Sequence, residues 1–142
     1  MKALADQLEW LWSDGWLLMA LLLAQGTRGA RLVELIAAAD LTNHAIPSAE
    51  ELSSALTKFA RCCLVTSTRG RYLLSPQHIP AIRTAYDGRG GLFSSGDKGL
   101  KWLKRAGLTP KADRRIDISR AQVTAAYEQY VSKIWPRAEP EH

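Results

Sequence analysis

Apolar residues recur at helical spacing through most of the chain, and the breaks in that pattern divide it into segments. Leu4, Leu8 and Leu11 predict a short amphipathic helix over residues 3–12. Trp16 to Gln25 is apolar nearly all round, the pattern of a helix at the centre of a core, with Ser13 or Asp14 to cap it and Gly26 to end it. A third helix is predicted from about Ala30 to Ala39, with Leu32, Leu35, Ile36 and Ala39 on one face. Asn43 and Pro47 make Asp40 to Pro47 a turn. Ser48 followed by Glu51 is a capping-box pattern, and Leu52, Ala55, Leu56 and Phe59 are the buried stripe of the helix it opens.

The periodicity then changes. Leu64 to Thr68 and Arg71 to Leu74 are β-compatible runs on either side of Arg69-Gly70, which predicts a hairpin. Ser75-Pro76 opens a helix that reaches Tyr86 through Ile79 and Ile82, with Pro80 tolerated in its first turn. Asp87 to Gly96 reads as a loop, and Leu100, Trp102 and Leu103 as a short helix ending at Gly107. Ser119 with Gln122 caps a last helix running to about Trp135. The predicted fold class is mainly α with a small β-hairpin. Residues 1–87 form its helix-and-hairpin unit, and residues 88–142 form a basic linker and a C-terminal helical extension that packs on that unit or on a second copy.

Three helices followed by a hairpin over residues 14–74 resemble a winged helix-turn-helix. The run Leu35-Ile36-Ala37-Ala38-Ala39-Asp40, then Asn43-His44-Ala45-Ile46-Pro47-Ser48, Glu51-Leu52 and Leu64-Val65, is similar to a group of small bacterial winged-helix proteins of uncharacterised function that carry an Asn-His-Ala-Ile-Pro turn. The resemblance implies binding to double-stranded DNA, most simply as a transcriptional regulator, with the third helix of the motif in the major groove and the hairpin on the backbone or minor groove. By position, the reading face it implies is Ser53, Ser54, Thr57, Lys58 and Arg61, with Arg69 and Arg71 at the hairpin tip to hold phosphates or enter the minor groove. Two features depart from the pattern. The turn from Asp40 to Pro47 is longer than the roughly 3–4 residues of a standard helix-turn-helix, and Glu50 and Glu51 lie at the helix end that approaches DNA. Both favour the alternative, a winged helix serving as a protein-interaction or assembly module without DNA binding.

At 142 residues the chain suits one compact domain, and its net charge of +5 hides a strong asymmetry. Residues 1–60 carry Lys2, Arg28, Arg31 and Lys58 against seven acids, a balance of −3. Residues 61–120 carry thirteen Lys or Arg against Asp87, Asp97, Asp113 and Asp117, a balance of +9, which suits a polyanionic partner. Lys101, Lys104 and Arg105 share one face of a short helix and form a candidate phosphate-contacting patch, with Lys98, Lys111, Arg114 and Arg115 completing the basic set. The longest apolar stretch, Trp16 to Ala24, falls short of the roughly 18 residues of a membrane span. Asp6, Glu9 and Asp14 before it are unlike the basic start of a signal peptide, so no membrane partner and a cytoplasmic location are expected.

Catalytic chemistry finds little support. His44 lies four residues after Asp40, but no nucleophile motif accompanies the pair and a turn histidine is the simpler reading. His78 and His142 give it no metal-ligand pattern. Gly88, Gly90 and Gly91 lack the Gly-Lys-Ser/Thr of a phosphate-binding loop and read as a connector. Cys62 and Cys63 are adjacent, which disfavours a mutual disulfide and predicts reduced thiols, at least one packed like a small apolar group. The expectation is a binding protein without catalytic residues, cofactor or metal. Val123, Ala126, Tyr127, Tyr130, Val131, Ile134 and Trp135 make an apolar stripe on the last helix that must be buried. It could fold back through Leu4, Leu8 and Leu11, or pair about a twofold axis. The expectation is a homodimer through Val123, Tyr127, Tyr130, Ile134 and Trp135, because closed twofold dimers are the commonest soluble oligomers.

Overall fold

The structure, a computed structural model, describes residues 8–134 apart from the side chains of Leu92 and Ile134. Of the helix expected over residues 3–12, residues 1–7 lie outside the described residues, and Leu8 to Leu11 are not helical. The first described helix, α1 (Trp12–Ala24), starts earlier than its apolar run because Asp14 reaches back one turn: its Oδ2 accepts the Leu11 N–H at 2.7 Å. That bond satisfies one of the orphan donors at the helix start. Trp16 through Leu22 are all buried, and α1 is the centre of the core.

Around α1 stand α2 (Leu32–Asn43) and α3 (Ala49–Arg61), followed by the hairpin β2 (Val65–Thr68) and β3 (Arg71–Leu74). A short strand β1 (Ala30–Arg31), within the segment expected to open a helix, pairs antiparallel with β3, giving the sheet order β1-β3-β2. The buried amide of Gln25 joins this sheet to α1, its Oε1 accepting the Leu74 N–H at 2.7 Å. Trp16 Nε1 donates to Ala39 O at 2.9 Å and fixes α1 against α2. Helix α2 runs four residues past its expected end, so the turn to α3 is His44 to Ser48 and shorter than the sequence suggests. His44 closes α2 in the left-handed conformation (φ 52°), its N–H donating to Asp40 O at 2.7 Å.

Helix α3 begins with the expected capping box: Ser48 N–H donates to Glu51 Oε1 at 2.9 Å, and Glu51 N–H to Ser48 Oγ at 3.0 Å. Leu52, Ala55, Leu56 and Phe59 are its buried stripe. It ends in a Schellman motif, with Leu64 N–H on Phe59 O and Cys63 N–H on Ala60 O, and Cys63 holding φ 57°. Cys62 is buried, Cys63 is exposed and both are free thiols. Burial pushes the Cys62 thiol above its ordinary pKa.

Helices α4 (Ile79–Tyr86) and α5 (Ser95–Arg105) follow, with a 3-10 turn at Leu92–Ser94. Helix α5 begins inside the segment expected as a loop and crosses α1 at close range, because Gly99 faces Gly15. A Cβ on either glycine would overlap the backbone of the other helix. The chain then runs without regular structure to α6 (Arg120–Ile134), opened by the predicted box of Ser119 and Gln122. Val123, Ala126 and Tyr130 of α6 pack on Val33 and Ile36 of α2 in the same chain. The homodimer expectation therefore loses Val123 and Tyr130 to an internal contact with α2, while Leu4, named for the fold-back alternative, lies outside the described residues. Tyr127 is exposed; the side chain of Ile134, and Trp135, lie outside the described residues. The whole is mainly α with a small three-stranded antiparallel sheet, an arrangement compatible with a winged helix. No helix among the described residues is long and apolar enough to cross a membrane.

Candidate nucleic-acid interface

The outward face of α3 is occupied by the chain itself. Residues 106–119 form a strap that follows α3 from its end to its beginning. Lys111 and Ala112 N–H donate to Arg61 O at 2.7 and 3.1 Å. Farther on, Ile116 N–H donates to Thr57 Oγ1 at 2.9 Å, and Thr57 Oγ1 donates to Ile116 O at 3.0 Å. Ile118 N–H donates to Ser53 Oγ at 2.8 Å, and Ser53 Oγ donates to Ile118 O at 3.2 Å. Two hydroxyls one helical turn apart, a rise of about 6 Å, thus serve alternate residues of an extended segment, whose two-residue rise is about 6.6 Å. The near match lets a helix face substitute for a neighbouring strand. Ile118 is buried beneath the strap, and past it Arg120 Nη2 meets Glu50 Oε1 at 2.8 Å. This contact holds the Glu50 carboxyl below its ordinary pKa.

Of the five α3 positions carried over from the winged-helix resemblance, Ser53 and Thr57 are therefore bonded to the strap. Lys58 is committed as well: its Nζ lies 2.7 Å from Oδ2 of Asp14, which is 1% exposed, and 2.9 Å from Glu9 O. A carboxylate so thoroughly removed from water needs that cation. Arg61 is partly buried, and its Nε has no hydrogen-bond partner among the described residues. Ser54 alone of the five is exposed.

The hairpin is more open. Arg69 and Gly70 form its two-residue turn with φ 53° and 75°, the paired positive values of a type I′ turn, and Arg69 is exposed. Arg71 faces the sheet instead, donating to Gly29 O at 3.1 Å and standing 3.9 Å from Glu34. Glu34 is held below its ordinary pKa by the Arg31 backbone N–H first, then by the charges of Arg31 and Arg71. The strap brings Arg114 and Arg115 beside Val65 and Ser67 of β2, around a cavity of about 310 Å³. Arg115 pairs with Asp117 at 2.9 Å, whereas Arg69 and Arg114 have no ion-pair partner among the described residues. The sequence marks Arg114 and Arg115 as basic but gives no sign that they adjoin the hairpin.

The basic patch expected on α5 is divided. Lys101 and Arg105 face α4 across a cavity shared with Arg89, while Lys104 lines a different cavity with Leu8, Glu9 and Trp10. The histidines take structural places. The His44 ring lies tilted against Phe93 with centroids 4.8 Å apart, and the carboxylate of Asp40 accepts the Tyr130 hydroxyl at 2.7 Å, so the pair is not arranged as an oriented base. The His78 and Trp102 rings meet in a T-shaped contact with centroids 6.0 Å apart, and His142 lies outside the described residues. Among the described residues no three His, Cys, Asp or Glu side chains converge as a metal site. Compared with protein-family models, curated proteins and solved structures, the chain gives no significant match.

Proposed function

We propose that the chain is a winged-helix protein that holds double-stranded DNA by its phosphates, through the hairpin tip and the basic strap, with base reading by α3 closed off in this conformation. The observation that carries this reading is the pairing pattern of the cations. Arg31, Lys58, Arg71 and Arg120 each meet a carboxylate. At the hairpin and strap, Arg69 and Arg114 do not, and Arg115 beside them is 80% exposed at its side chain and only weakly engaged. Unneutralised guanidinium groups on a projecting turn and an adjacent segment suit a phosphate backbone, which they contact as paired donors. Arg69 adds a second argument. A left-handed φ costs a non-glycine residue about 1–2 kcal/mol, and a type I′ turn favours Asn there, so the guanidinium occupies a position that local folding disfavours.

The test is anisotropy of a labelled random-sequence duplex over a salt series. Binding should weaken steeply with salt, and Arg69→Asn with Arg114→Gln should make the slope shallower by about one unit for each phosphate contact removed. Wild-type protein that shows no salt-sensitive binding to any duplex overturns the proposal.

The covered face of α3 favours one second reading, a protein-interaction module. Its acidic corner, Glu50 joined to Arg120, would then be the docking edge; the wild type should show no salt-sensitive duplex binding, and a charge reversal at Glu50 should abolish partner binding.

A further inference from the structure

We infer that the cleft between α4 and α5 is a binding site for a nucleotide, with its phosphate held by Arg89, Lys101 and Arg105 and its base against Trp102. The cleft is open to solvent and has a volume of about 350 Å³, at the low end of the range of small-molecule sites. Its wall carries four cations, Arg89, Lys98, Lys101 and Arg105, and no carboxylate. Lys98 is used by the fold: its Nζ donates to Tyr86 O at 2.9 Å and to Gly90 O at 3.3 Å, with the charge 5.6 Å from the centre of the Tyr86 ring. It pins the connector after α4 and leaves its charge uncompensated. Arg89, Lys101 and Arg105 have neither an ion pair nor a side-chain hydrogen bond among the described residues. The one acid in the first turn of α5, Asp97, is turned away and accepts the Trp12 indole N–H at 2.9 Å.

Like charges gathered in a concavity without a counter-charge raise the local concentration of anions, and paired guanidinium groups match a phosphate's oxygens. Lys101 and Arg105 are four residues apart on α5 and so project on the same side. Arg89 enters from the opposite wall on the glycine-rich connector, whose Gly88 also lines the cleft. Nothing here resembles a backbone phosphate cradle; side-chain cations supply the binding. Trp102, half-buried among them, adds an aromatic face, and stacking on such a face discriminates a nucleotide from inorganic phosphate. The inference is independent of duplex binding at the hairpin, because the two sites share no residue.

Titration calorimetry with adenosine monophosphate, ribose 5-phosphate, adenosine and inorganic phosphate tests it. The mononucleotide should bind saturably and most tightly of the four. Arg89→Gln with Arg105→Gln should weaken it by at least about tenfold, as expected for lost charge-assisted hydrogen bonds, with thermal unfolding unchanged. Trp102→Phe should narrow the gap between the mononucleotide and ribose 5-phosphate. Arg69→Asn should leave mononucleotide binding intact, so that failure here and failure of the duplex reading are separable. A 5′-phosphorylated trinucleotide that competes would assign the ligand to a strand end, and one that does not would assign it to a free nucleotide. No saturable mononucleotide binding up to roughly 10 mM, where an interaction is worth under about 3 kcal/mol, overturns the inference. So does unchanged affinity in the double variant.

Discussion

Replacing Thr57 with Val, and Ser53 with Ala, removes four hydrogen bonds between α3 and the strap while changing little of the shape. A typical intramolecular hydrogen bond contributes about 0.5–1.5 kcal/mol net. Thr57→Val should therefore cost about 1–3 kcal/mol, and Ser53→Ala a similar amount. Both hydroxyls hold one strap, so once either end is loose the other loses part of its value, and the double variant should fall short of the sum. Ile118, 6% exposed, keeps an apolar hold on the segment, so the strap should open more often without detaching permanently. Native-state hydrogen exchange at the Ile116 and Ile118 amides reads this directly, beside urea unfolding for global stability. In Thr57→Val, protection should fall at Ile116 by more than the loss of global stability explains, while amides in the buried middle of α1 follow the global value. Undiminished protection at Ile116 in Thr57→Val would refute the strap as described. Opening also bears on function. A double variant that gains sequence preference on duplex DNA would show α3 to be a reading helix that the strap masks.

Arg69→Asn should stabilise the hairpin by about 0.5–1 kcal/mol, by relieving the left-handed arginine, while it weakens duplex binding; denaturation midpoints and anisotropy must move in opposite directions. Gly99→Ala separates two effects of opposite sign. Helix propensity alone favours Ala by about 1 kcal/mol, but the added Cβ meets the Gly15 backbone, and forcing α1 and α5 apart should cost about 3 kcal/mol or more, so chemical denaturation should show net loss. Cys63→Gly should add about 1 kcal/mol, since φ 57° at the end of α3 is a glycine conformation; a lower unfolding midpoint would contradict the Schellman geometry. Tyr130, pushed up to about 12 by burial first and then by its bond to Asp40, is held in its protonated form by the fold. Its raised pKa contributes stability that is complete below the unfolded value near 10 and is lost as pH rises toward 12. Tyr130→Phe should be less stable at neutral pH and should lack that alkaline loss in pH-dependent melts.

The elements most legible in the sequence are those whose signals are local. The Ser48–Glu51 and Ser119–Gln122 boxes, the apolar stripe of α3 and the Arg69-Gly70 turn depend on residues close together in the chain, and each appears where its pattern places it. The misread boundaries have tertiary causes. Ala30–Arg31 carries no strand pattern and becomes β1 only because β3 offers a free edge. Gly96 and Gly99 weaken the helical pattern of α5, yet α5 needs them. Gly99 lets α1 approach, and the Trp12 ring lies where a side chain on Gly96 would go. The apolar stripe of α6 leads to the expectation of a homodimer, yet Val123, Ala126 and Tyr130 pack on α2 of the same chain, because a stripe by itself cannot distinguish a partner helix in the same chain from one in another.

The candidate site is the least legible because its identity depends on what covers what. Ser53 and Thr57 are helix-face hydroxyls suited equally to a base edge or to a peptide, and the sequence around α3 contains no trace of the segment that claims them some sixty residues later. A clue does lie within that segment: in Arg115-Ile116-Asp117-Ile118 the apolar residues alternate with charges, the period of an extended chain with one buried face. Ile116 and Ile118 pack on the core as that alternation requires, their backbone groups bonded to α3, which leaves Arg115 and Asp117 exposed and paired with each other. The same extension carries Arg114 to the hairpin, so the residues that cover the outward face of α3 also assemble the basic edge beside it. Under the proposed function, covering α3 and building the phosphate-binding surface would be one structural event, and a variant that loosens the strap should then trade backbone affinity for access to α3.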